Sequence, residues 1–150
     1  MRADIAVYDK KEQLVAVIEV KNKKGMSKDW AIKLRRNLFA HGLWPEIKYF
    51  ILALPDRLYI WSNTTNMPVE VEPDYEIDIT ELLKPFYERS GISLEQISQY
   101  GFELILISWL NEVIQTASEQ PDNKKIQDSL IKSGLFEALK TGRIVTEVEI

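Results

Sequence analysis

Three residues near the start of this 150-residue chain have the types and spacing for chemistry: Asp4, Glu19 and Lys21. Side chains on a β-strand alternate between faces, so Glu19 and Lys21 project together while Val20 projects the other way. If a hairpin pairs residues whose numbers sum to 23, Asp4 stands opposite Glu19 and Tyr8 opposite Val15, and directly opposed residues share a face. A slip of one residue sets Asp4 against Ile18 and parts the two carboxylates. Two carboxylates so placed form a hard-oxygen site for Mg²⁺ or Mn²⁺ rather than zinc. The Val20 carbonyl offers a third ligand where the strand end frays. The Lys21 ammonium beside them can orient an attacking water or help remove its proton, and a divalent ion with such a water is the equipment for phosphodiester hydrolysis.

The elements that must position these residues are legible in the apolar pattern. Residues 4–8 are β-rich, 9–13 are polar and turn-like, and 14–21 form a strand apolar on both faces until Glu19, as expected of a buried central strand. A basic loop follows (Asn22, Lys23, Lys24, Gly25), and Ser27 is placed to cap a helix over 28–41 with Asp29 in its first turn. On that helix Trp30, Ala31, Leu34 and Leu38 form one apolar stripe. Lys28, Arg35 and Arg36 lie on the other side, with Lys33 on a flank. Ile32 and Phe39 interrupt the basic side, so a second layer or a partner is expected to cover them. Gly42 and Pro45 end the helix.

Residues 49–54 are a further central strand and 58–61 another, so strand, helix and strand form a parallel crossover. The stretch 62–78 is polar, acidic and proline-bearing and reads as a long surface connection. Helices are expected near 80–89, with Pro85 inside, from a Ser93…Gln96 capping box to about 116, and over about 126–139, before a terminal strand at 143–150. The run 102–110 is apolar nearly all round and should be buried, in the domain or in a homodimer interface.

Asp4, then Glu19-Val20-Lys21 ending a hydrophobic strand, then a helix and an apolar strand, resembles the PD-(D/E)xK nuclease superfamily. The nearest flavour is similar to the nuclease domains at the N-terminus of type I restriction enzyme motor subunits. The likeness covers residues 1–62. It implies an α/β (α+β) fold with a mixed central sheet and helices on both faces, the 1–62 core carrying an acidic, mostly helical extension over 63–150 that ends in a strand. It also implies that Asp4 and Glu19 bind Mg²⁺ (or Mn²⁺) and that Lys21 is catalytic. The first motif reads Ala3-Asp4 in place of Pro-Asp, a change that touches no ligand. Family members carry a helix and usually a strand ahead of that motif, and the helix often supplies another acidic residue. That N-terminal helix is read as missing here.

Composition bounds the rest. The chain is 45% hydrophobic, enough for a core, and it has no Cys and one His, which excludes disulfides, thiolate sites and zinc held by several imidazoles. His41, at a helix C-terminus, reads as an end residue that suits the helix dipole. Gly-rich phosphate loops, nucleophile elbows and HExxH helices are absent, and no small-molecule cofactor is implied. With no apolar leader or membrane-length run the expected place is the cytoplasm. The net charge of −4 divides unevenly: residues 1–50 hold 11 Lys/Arg against 6 Asp/Glu, and the remainder is acidic. A basic third beside the carboxylates suits DNA, with Lys23, Lys24, Lys28, Lys33, Arg35 and Arg36 as phosphate contacts. Two functions stay open. One is a Mg²⁺-dependent endonuclease; the other is a catalytically inactive nuclease-fold protein that serves as a dimeric binding or assembly module.

Overall fold

The computed structural model describes residues 2–62, 66–119 and 134–150. Six strands form one mixed sheet: β1 (Arg2–Tyr8), β2 (Leu14–Val20), β3 (Tyr49–Ala53), β4 (Arg57–Ser62), β5 (Tyr75–Asp78) and β6 (Arg143–Glu149), in the spatial order β5-β4-β3-β2-β1-β6. Among the described strands only β2 and β3 are parallel, joined by helix α1 (Lys28–Ala40), and the other neighbouring pairs are antiparallel. The described helices after β5 are α2 (Thr80–Ser90), α3 (Gln99–Glu119) and α4 (Leu135–Lys140).

The hairpin that fixes the site is built by its turn. Asp9 N–H donates to the Gln13 carbonyl, the Asp9 carboxylate accepts from the N–H groups of Lys11 and Gln13, and Glu12 takes φ +61. A three-residue loop that ends in a left-handed residue is a favoured hairpin closure and adds a bulge. The pairing therefore runs Ile5–Ile18, Ala6–Val17 and Val7–Ala16, as the register summing to 23 requires, and then shifts so that Tyr8 faces Leu14 instead of Val15. The slip falls at the turn, away from Asp4 and Glu19.

Each sheet face has its own core. Ile5, Val7, Ile18, Val20, Ile51 and Ile60 pack against α2, α3 and α4 through Leu83, Phe102, Leu106, Trp109 and Leu139. On the other face Ala6, Val17, Phe50, Leu52, Tyr59 and Trp61 pack against Ala31 and Phe39 of α1. The sheet thus carries helices on both faces, as alternating apolar strands demand. Phe102, Ile105, Leu106, Trp109 and Leu110 are buried within the chain itself, so its own sheet covers most of the apolar run on α3. Among the described residues no helix is long and apolar enough to cross a membrane.

Several local expectations change. The end of the acidic connection is a strand, because Tyr75 and Ile77 extend the sheet beside Ile60 and Leu58. The Ser93…Gln96 pair closes a turn through Gln96 N–H to the Ser93 carbonyl, and α3 starts later, where the Ser98 hydroxyl accepts from Gly101 N–H. Most of the expected 126–139 helix lies outside the described residues; its end is α4. The buried line on α1 is Ala31, Arg35 and Phe39, with Trp30, Leu34 and Leu38 only half-buried beside it. Ser27 does cap that helix, its hydroxyl accepting from Trp30 N–H at 3.2 Å.

Gly134, at φ +80 ahead of α4, is constrained twice. A Cβ there would collide with the hydroxyl of the buried Tyr49, and the left-handed backbone itself disfavours one. Gly134→Ala is expected to lower stability by at least about 2 kcal/mol in urea unfolding, the sum of a left-handed penalty and overpacking. A change under about 0.5 kcal/mol, the usual range for surface substitutions, would show that the segment adjusts freely.

Candidate active site

Where β1 leaves β2, side chains take over the backbone bonding. The outward groups of Val20 face the space that β1 has vacated. Its N–H donates to Asp4 Oδ2 at 2.9 Å, and its carbonyl accepts from Gln99 Nε2 at 2.8 Å. Unpaired strand groups would otherwise be desolvated at a cost, so each requires a partner. On the opposite side the ladder to β3 runs one residue further, through Lys21 N–H to the Ala53 carbonyl at 3.0 Å.

Glu19 is buried there at 8% exposure. Its carboxyl pKa is raised to about 7, first by burial and then by the charge of Asp4; the hydrogen bond the two side chains share and the charge of Glu103 act in the same direction, and only Lys21 opposes them. Burial penalises the charged form, and a like charge within reach penalises it again. Asp4 and Glu19 are thus near enough for the charge of one to act on the other, and Lys21 follows just beyond the last residue of β2.

Two acidic residues join them that the sequence pattern does not single out. Carboxylate oxygens of Asp4, Glu103 on α3 and Glu147 on β6 lie within 4.8 Å of one another. The Glu103 carboxyl pKa is raised by burial, against a hydrogen bond from Gln99 that lowers it, with the charges of Asp4 and Glu147 and a contact with Glu147 raising it further. Glu147 sits between the pairs Ala3–Val148 and Ile5–Thr146, at the level of Asp4, with φ +50, and accepts from Arg2 Nε at 3.1 Å. A non-glycine residue in that conformation within a strand costs on the order of 1–2 kcal/mol and tends to occur where function over-determines the backbone. One signal for Glu103 was available in the sequence: it is the one charged residue in the apolar run 102–110, and a carboxylate among apolar neighbours needs a partner. Glu147 carries no such mark.

The expected phosphate contacts separate into groups. Arg35 is corrected outright: it is fully buried, its guanidinium 4.2 Å from the Phe39 ring centroid and 6.0 Å from that of Trp61, with Nη1 donating to the Val69 carbonyl. Its long stem lets a cation enter the aromatic layer that the rest of α1 builds, so it cannot reach a surface phosphate. Lys33 pairs with Asp29 at 3.0 Å and Arg36 with Glu70 at 3.6 Å. Lys23 lies 5.8 Å from the Trp30 ring centroid, and Lys23, Lys24 and Lys28 are exposed on the loop and helix start that follow Lys21.

Every donor at the site is an oxygen: Asp4, Glu103 and Glu147 form one group, and Glu19, whose carboxyl pKa is raised to about 7, lies beside Asp4 without belonging to that group. A proton held between two carboxyl groups marks a position where a divalent cation is electrostatically favoured, and all-oxygen ligands suit Mg²⁺ or Mn²⁺. Comparison with protein-family models, with curated proteins and with solved structures finds no match to this chain.

Proposed function

We propose that this protein is a Mg²⁺- or Mn²⁺-dependent phosphodiesterase acting on DNA, with a restriction-endonuclease-like core. One observation carries the reading: where β1 and β2 diverge, Asp4 Oδ2 accepts from Val20 N–H at 2.9 Å beside the buried Glu19, whose carboxyl pKa the charge of Asp4 helps to raise, with Lys21 two residues on. In the resembling family a further acidic residue often comes from a helix ahead of the first motif; here Glu103 brings an acidic side chain to Asp4 from α3, which follows the motifs.

Asp4, Glu19 and the Val20 carbonyl would hold the cation; that carbonyl has a second lone pair beyond the one Gln99 uses. When bound, the ion supplies Lewis-acid polarisation of the phosphodiester and lowers the pKa of water. Lys21 holds the attacking water by hydrogen bonding and offsets charge that develops on the phosphate. The exposed Lys23, Lys24 and Lys28 hold flanking phosphates, which sets register without reading sequence.

The test is nicking of supercoiled plasmid with Mg²⁺ or Mn²⁺ by the unaltered protein, Glu19→Ala and Lys21→Ala. Nicking by the unaltered protein and its loss in both variants is expected. Nicking that persists in both would overturn the assignment. No nicking at all, with no cation-dependent rise in melting temperature, favours the non-catalytic binding module.

A further inference from the structure

The reaction proposed above needs Lys21 to point the same way as Glu19, yet Lys21 lies beyond the last residue of β2. The described pairs between β1 and β2 reach only Ile5–Ile18, so the backbone at 20–22 has β3 on one side and no strand on the other. A strand end held on one side only can rotate a peptide unit, and a rotation there turns the lysine off the carboxylate face.

The side chain of Gln99 fills the missing side. Its Nε2 donates to the Val20 carbonyl at 2.8 Å, and its Oε1 accepts from Asn22 N–H at 2.9 Å. Those two groups flank Lys21. Bonds to the carbonyl before a residue and to the N–H after it are the pattern by which a parallel strand pairs with that residue. One primary amide thus reproduces a parallel partner for Lys21, while the peptide N–H of Lys21 keeps its bond to Ala53 on the β3 side. The Asn22 side chain adds a second tie to the same region, donating from Nδ2 to the Ile97 carbonyl at 2.8 Å. Gln99 Nε2 also donates to Glu103 Oε1 at 3.4 Å, one turn along α3, which ties the helix start to the carboxylate cluster.

From this geometry we infer that Gln99 is a positioning residue: its side-chain amide acts as a surrogate strand that holds Lys21 extended, with its ammonium on the Glu19 face. The inference rests on the phosphodiesterase reading for its purpose and on the hydrogen bonds for its existence, so the experiment reads the two separately.

Gln99→Met keeps the length of the side chain and removes both bonds. Native-state amide exchange at Asn22 should accelerate about tenfold or more, with Ile51 and Leu52 in β3 unchanged, since local opening is independent of global unfolding. With plasmid as substrate, kcat should fall about tenfold or more while KM for DNA stays within about twofold, because a misplaced catalytic group costs rate rather than binding. Lys21→Ala, by contrast, should leave exchange at Asn22 unchanged, since it removes the positioned group and keeps the bonds from Gln99. Unchanged exchange at Asn22 or an intact kcat in Gln99→Met each overturns the positioning role. Retention of nicking by Glu19→Ala and Lys21→Ala, with Asn22 exchange accelerated in Gln99→Met, overturns the phosphodiesterase reading but leaves the clamp. Absence of nicking by the unaltered protein overturns the positioning role together with that reading.

Discussion

Glu19→Gln should yield a protein that is more stable and inactive. The stability gain follows from the carboxyl pKa, raised from 4.5 to about 7 by burial and by Asp4. A carboxyl whose pKa is higher folded than unfolded makes the native state bind more protons between those values. Unfolding free energy therefore falls as pH rises through that window. Glu19's contribution is complete below about pH 4.5 and is lost by pH 8. Glutamine keeps the shape and cannot ionise, so the slope disappears. At pH 8 without metal the variant should exceed the unaltered protein by up to about 3 kcal/mol, from a shift of about 2.5 units at 1.36 kcal/mol each.

Added Mg²⁺ should reverse the order. A cation favours the ionised carboxylate, so it should raise the melting temperature of the unaltered protein at pH 8 and change that of Glu19→Gln little. Nicking by the variant should fall by more than the about 10–100-fold typical of losing an outer-shell partner of a metal. Urea titrations from pH 5 to 8, with and without Mg²⁺, check the stability arm. Equal pH slopes for the two proteins would refute the electrostatic account of Glu19. A stabilised variant that nicks normally would refute its functional role.

The second large effect concerns Arg35. Its guanidinium lies over the Phe39 ring and within 6.0 Å of the Trp61 ring centroid, fully buried, and burial pulls its pKa down to about 10, which still leaves it charged at neutral pH. Arg35→Ala opens a cavity in the α1 layer and removes a stacked cation together with the hydrogen bond to Val69, so a loss of about 3 kcal/mol is expected. Arg35→Lys should recover only part of this, because an ammonium on a flexible stem does not reproduce the planar stack. Chemical denaturation with an unchanged m-value is the measurement, and a loss under about 0.5 kcal/mol, the usual surface range, would place Arg35 outside the core. DNA binding supplies a contrast. Lys24→Ala and Lys28→Ala should each reduce the salt dependence of binding by about one counterion, whereas folded Arg35→Ala should leave it unchanged.

These two residues also show what the sequence discloses and what it withholds. The hairpin register was legible because alternation and a short polar turn leave few ways to pair residues 4–8 with 14–20, and that register brings Asp4 to Glu19. The bulge at Tyr8 was not, since it depends on Glu12 adopting a positive φ. The helix over 28–41 was legible from its cap and periodicity, and Ala31 is buried as expected, but Arg35 and Phe39 take the buried places expected of Leu34 and Leu38. Arginine counts as polar in any pattern, although its stem and guanidinium pack well on aromatic rings. Glu103, Glu147 and Gln99 escaped because their roles come from tertiary placement. Nothing local to α3 or β6 states that both arrive beside β1.

The order of the strands has a consequence in time. β1, which carries Asp4, is flanked by β2 at once in sequence and by β6 only at the far end, with Arg2 paired to Glu149. Contacts this distant raise contact order and slow folding. A ribosome adding roughly 5–20 residues per second needs several seconds after Lys21 emerges to deliver Glu103 and then Glu147. Until then the nascent chain holds the β1–β2 hairpin without the helix whose Gln99 bonds to Val20 and Asn22, or the strand that pairs with β1 at the level of Asp4. The acidic group of Asp4, Glu103 and Glu147 therefore stays incomplete until β6 has been synthesised.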